Sequence, residues 1–122
     1  GMEADVLRGA ARTIQRTRPL IYAENDRPEL SEELINLIVG MGYRMYWHVV
    51  PLHSAHNHAQ VSENLFPGIT SINVLAVPEE TDARVVGLIP VSDASDHPLS
   101  DGTRLRSMRR SNCHYSEPKE SL

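Results

Sequence analysis

The chain has 122 residues, of which 40% are hydrophobic, so it suits a single domain or part of a larger one. Its net charge of −4 removes the electrostatic case for nucleic acid as the main partner. The single cysteine, Cys113, excludes an internal disulfide framework, and no apolar run approaches the roughly 18 to 20 residues of a membrane span. With no secretory signal pattern at its start, the chain reads as a cytoplasmic protein.

In residues 3–16, apolar side chains recur at Val6, Leu7, Ala10, Ala11 and Ile14, one face of a predicted helix. Gly9, costly inside a helix, is expected to mark close packing against a sheet. Pro19 ends the helix by disfavouring helical geometry at Arg18. Leu20–Ala23 is too apolar to alternate and is expected as a strand covered on both faces, stopping at Glu24-Asn25. After the Asp26-Arg27-Pro28 turn, Ser31 is the expected N-cap of a second helix, with Leu30 and Ile35 as a hydrophobic staple. Leu34, Ile35, Leu37, Ile38 and Met41 form its apolar face, and Gly42 is placed to close it in a left-handed conformation.

Tyr43–Leu52 is rich in aromatic and β-branched residues and reads as a strand, as does Ser71–Val77. Residues 53–69 form a long loop between them, and Arg84–Val91 offers one more short extended segment. The unit Leu20–Leu52 favours a parallel strand pair with a right-handed helical crossover, while 43–52 and 71–77, joined without a helix, favour an antiparallel pairing. Residues 1–92 are thus expected to hold the α/β domain, and 93–122 a polar, flexible tail.

Several short motifs in order carry a resemblance. Gly1-Met2-Glu3-Ala4-Asp5-Val6-Leu7-Arg8-Gly9-Ala10 resembles the stretch after the fourth strand of FkbM-family methyltransferases. Arg18–Asn25 resembles their fifth strand with its terminal Glu-Asn, and Gly42-Tyr43 the turn into the sixth. Asn64-Leu65-Phe66 and Ser71–Pro78 resemble the loop and final strand. The resemblance covers about residues 1–80. It implies the C-terminal half of a class I (Rossmann-like) methyltransferase sheet, with parallel strands plus an antiparallel last strand lying between the fifth and sixth. It also implies S-adenosylmethionine as cofactor and methyl transfer to a hydroxyl oxygen of a small-molecule, glycan or lipid acceptor.

The family's Gly-rich loop after its first strand and acidic residue after its second have no counterpart here. Those features bind the cofactor by close backbone approach and ribose contacts. The nearest thing, Gly40-Met41-Gly42, ends a helix. The chain is therefore expected to be inactive alone, as a natural truncation or a product of a misassigned start codon.

Glu24 and Asn25, at the carboxyl end of a strand, are the candidate catalytic residues, through orientation of the acceptor or acceptance of its proton. A cap on the following helix or a plain turn would explain them equally. Glu3 is the candidate cofactor-side residue by its place in the resemblance, or else a complement to its helix dipole. In the loop, His53, His56, Asn64 and Phe66 are candidates for substrate contact, as befits a long loop. His53-x-x-His56-x-His58 invites a metal reading, but nothing nearby completes a site, and no metal is expected. Arg104, Arg106, Arg109 and Arg110 read as a solvated tail rather than a phosphate contact. The alternative to a partial enzyme is an α/β interaction module forming a homodimer through the exposed edge of strand 20–24.

Overall fold

The computed structural model describes residues 1–54, 57–101 and 105–108. Two short helices, α1 (Glu3–Gly9) and α2 (Ala11–Thr17), precede strand β1 (Ile21–Glu24), helix α3 (Pro28–Gly40) and the long strands β2 (Tyr43–Pro51) and β3 (Thr70–Pro78). A two-residue strand, β4 (Ile89–Pro90), and a 3₁₀ turn at Pro98–Ser100 follow. Among the described residues no helix is long and apolar enough to cross a membrane.

The four strands form one sheet in the order β1-β3-β2-β4, and all three pairings are antiparallel. This corrects the expected fold class: among the described residues the sheet is wholly antiparallel, not the parallel, Rossmann-like one expected. The α3 crossover returns β2 in the same direction as β1, but the two are not neighbours. β3 folds back after the 52–69 loop, pairs with β2 from Tyr43↔Pro78 to Pro51↔Thr70, and takes the position between them. The expected antiparallel pairing of β2 with β3 is present throughout.

β2 alternates regularly, burying Tyr43, Met45, Trp47 and Val49 on the face toward α3, where they meet Ile72, Val74 and Ala76 of β3. Helix α3 adds Leu34, Ile35 and Ile38, and the N-terminal helices add Leu7 and Ile14.

Three local expectations change. The first helix divides at Ala10, and a Cβ at Gly9 would meet nothing within 4 Å, so Gly9 does not serve close packing. Helix α3 starts at Pro28, whose fixed φ and missing N–H suit a first turn, leaving Ser31 buried inside the helix rather than capping it. β1 is an edge strand that alternates: Ile21 is buried, while Tyr22 is 56% exposed.

Where the first helix was expected to yield to Pro19, Arg18 adopts a left-handed conformation with φ 46°. Its guanidinium donates to the carbonyls of Met41 and Gly42, both at 2.8 Å, and to both carboxylate oxygens of Glu80 at 2.5 and 2.8 Å. It also lies over the Tyr43 ring, 4.5 Å from the centroid.

The segment expected as a tail contributes to the interior: His97, Pro98 and Met108 are buried. Residues 109–122 lie outside the described residues.

Candidate functional site

Three segments meet where β1 ends. The strand delivers Glu24 to the surface and then Asn25 to the interior, where the Asn25 backbone N–H donates to the Ile72 carbonyl at 2.8 Å. Asp26 and Arg27 carry the chain into the first turns of α3, and the first turns of α1 lie alongside. Arg8 ties these helices together, bonding Asp5 at 3.0 Å on its own helix and Glu33 on α3.

Between the three lies a cavity of about 210 Å³. Glu3 and, from a second stretch of sequence, the adjacent Glu24 and Asn25 all line it, together with Asp26 and Arg27. The Glu3 carboxyl is held below its usual range, first by a hydrogen bond from its own backbone N–H and then by the amine of Gly1 at 3.0 Å. The side chains of Glu24 and Asp26 make no hydrogen bond or ion pair among the described residues.

Asn25 is 4% exposed, and its side-chain Nδ2 is enclosed with no acceptor. Leaving such a donor unsatisfied costs about 1–3 kcal/mol. Beside it, the exposed Glu24 carboxylate can accept a proton from a hydroxyl held in the cavity.

His97 fixes Asn25 from behind. The Leu99 backbone N–H donates to His97 Nδ1 at 3.1 Å, so the proton sits on Nε2, which donates to the Asn25 carbonyl at 2.7 Å. The imidazole is 2% exposed and meets the Trp47 ring edge-on, with centroids 5.4 Å apart. Sequence reasoning missed this residue. It stands in a stretch without periodicity, and its partner is 72 positions away.

The loop candidates do not join the cavity. His53 is half-buried, while Asn64 and Phe66 are exposed and form a local turn in which the Phe66 N–H donates to Asn64 Oδ1 at 2.8 Å. His56 lies outside the described residues. The loop does leave the sheet at the end where β1 finishes, because Glu24 is level with Asn73 and His48. On the open sheet face, Tyr22 and His48 share a 2.7 Å hydrogen bond, and burial raises the Tyr22 hydroxyl above its usual range.

Among the described residues no group of three or more His, Cys, Asp or Glu is placed to hold a metal ion. The residues present also do not fit S-adenosylmethionine. The glycines with positive φ, at 42, 68 and 87, all lie away from the cavity, which therefore lacks a glycine cradle for close backbone approach. No protein-family model, curated protein or solved structure matches the chain.

Proposed function

We propose that this chain supplies the acceptor-binding part of an S-adenosylmethionine-dependent O-methyltransferase, acting in the cytoplasm, and that these residues are inactive alone. The observation that carries the reading is the convergence of Glu3, Glu24 and Asn25 on one polar cavity at the end of β1. The ordered motifs between residues 1 and 80 support it from the sequence side. In this reading Asn25 orients the acceptor hydroxyl and Glu24 takes up its proton, with His97 holding the Asn25 backbone in place. The acceptor is a small molecule, or the end of a glycan or lipid.

Two measurements test the proposal. Calorimetric titration of the 122-residue chain with S-adenosylmethionine should give no binding heat; tight binding would overturn the expectation of inactivity. The coding DNA upstream of Gly1 should continue in frame through a Gly-rich strand–turn–helix. A stop codon immediately upstream would remove the methyltransferase reading.

A second reading is favoured by a separate observation. β1 lies at the edge of the sheet, and beside it Leu20 and Tyr22 are 64% and 56% exposed. An unpaired apolar edge recruits another strand. In this reading the chain is an interaction module that forms a homodimer through residues 20–24. Light scattering decides it: a dimer that Tyr22→Lys converts to monomer supports this reading, and a monomer at all concentrations rejects it.

A further inference from the structure

The outer edge of β1 and the flank of α1 form one continuous surface. The Asn25 N–H bonds the Ile72 carbonyl, so along β1 the odd-numbered residues turn their backbone groups toward β3. Tyr22 and Glu24, and by the same alternation Leu20 just before the strand, turn theirs outward, where no backbone hydrogen bond meets them among the described residues. Pro19, which has no N–H, belongs to the inward set and costs the outer edge no donor. Beside this edge, on the face of the sheet that carries the helices, a groove of about 330 Å³ runs between β1 and α1. Met2 and Val6 stand on its α1 side, 70% and 64% exposed.

An open edge of this kind pairs with another strand, and the position of α1 decides which. A bare extended peptide would satisfy the backbone and lie against Tyr22, but it would leave the outer side of α1 in water. Covering both layers takes a partner that carries a helix beside its own edge strand, on the same side. A second copy does so under a two-fold axis perpendicular to the sheet, which keeps both α1 helices on one face and makes the interface isologous. Met2, Val6, Leu20 and Tyr22 together expose on the order of 500 Å², more than half of the roughly 800 Å² that each partner buries in a stable interface, before the strand backbone is counted.

We propose that two copies associate edge to edge through β1, with the two α1 helices packed against each other across the axis, so that the four strands of each copy continue into those of the other as one antiparallel sheet. The proposal rests on the interaction-module reading and adds to it a register and a second, helical layer. The axis passes through Tyr22. Tyr22 then faces Tyr22 of the second copy, and Leu20 of each copy faces Glu24 of the other, so three residue pairs each exchange two backbone hydrogen bonds. Moving the axis to Ile21 or to Ala23 leaves two such pairs, because Arg18 is left-handed and Asp26 lies beyond the strand. The move to Ala23 also brings the two Glu24 carboxylates into diagonal contact, where like charges repel.

The test is disulfide mapping and analytical ultracentrifugation of the full chain in a Cys113→Ser background. Tyr22→Cys should oxidise to a covalent dimer, because the Cα atoms of a hydrogen-bonded antiparallel pair lie about 5.5 Å apart, within reach of a disulfide. Leu20→Cys alone should not cross-link, since it faces Glu24, whereas Leu20→Cys combined with Glu24→Cys should. Val6→Glu, at an exposed position, should raise the dimer dissociation constant by about tenfold or more, because it places a charge in the helix contact. Its far-ultraviolet circular dichroism should stay that of the folded chain. A dimer that cross-links through Leu20→Cys alone, or that Val6→Glu leaves equally tight, overturns this proposal while the homodimer reading stands. A monomer at every concentration overturns both.

Discussion

The Arg18 guanidinium joins three parts of the chain: the end of α2, the turn after α3, and Glu80 beyond β3. Two of its acceptors are backbone carbonyls just past the α3 terminus: that of Met41, where a helix leaves carbonyls unsatisfied, and that of Gly42, which also accepts from the Glu79 N–H at 3.0 Å. The third, Glu80, is held at a pKa of about 2 against an ordinary 4.5, chiefly by its hydrogen bonds to Arg18. A depressed carboxylate contributes stability above its unfolded pKa and loses it as pH falls through the folded value. The stabilisation is therefore complete above about pH 4.5 and disappears on approach to about pH 2. In urea denaturation across that window, Glu80→Gln should flatten the acid limb and leave other carboxylates to account for the remainder.

Gly42 belongs to the same junction. Its φ is +78°, and a Cβ there would lie 3.3 Å from Arg18 Nη2. Gly42→Ala should cost more than about 1 kcal/mol, because it combines backbone strain with displacement of Arg18. A loss below that, measured by denaturant titration, would show that the turn can relax.

Helix α3 shows how much of an element local pattern can specify. The spacing of Leu34, Ile35 and Ile38 defines its buried stripe, and all three are buried in the sheet-facing core. Its start was misplaced because two N-terminal signals compete over four residues. Proline at the first position prevails over serine as a cap, and Ser31 is drawn inside. The difference between faces is measurable. Ile38→Ala should cost about 2–5 kcal/mol, the range for truncating a fully buried aliphatic side chain. Val39→Ala, one position on and 49% exposed, should change stability by no more than about 0.5 kcal/mol. Equal effects at both sites would contradict the burial pattern.

β1 and the first helix are less legible in the sequence than α3. A four-residue strand offers too few positions to distinguish one covered face from two. In α1 and α2 the apolar stripe runs on across Ala10, so periodicity alone does not reveal the break there.

For the molecule as a whole, the segment after β4 is part of the packed structure. His97 closes over Trp47 and Asn25, so it couples the core to the cavity wall. His97→Ala should destabilise the protein by about 1–3 kcal/mol, because it leaves the Asn25 carbonyl buried without its donor. Trp47, fully buried here and the sole tryptophan, reports the change directly. Folded-state emission should move to longer wavelength as water reaches the indole, and unchanged emission with unchanged stability would show that His97 is dispensable.

Residue pattern alone was sufficient for the existence and order of the main elements, the buried stripe of α3, the left-handed turn at Gly42 and the pairing of β2 with β3. These depend on periodicities and conformational preferences that span a few neighbours. It also singled out Glu24 and Asn25 at a strand end, with Glu3 added only by the resemblance, though not that they share one cavity. Strand adjacency was beyond periodicity; only the resemblance set the last strand between the two that α3 connects, where β3 lies. The α3 crossover sets β1 and β2 in the same direction, but the place of β3 between them depends on which sheet edge is free when the chain returns. His97 was out of reach for a related reason: a buried hydrogen bond between residues 72 positions apart leaves no periodic trace in either segment. Only the folded chain brings the partners together.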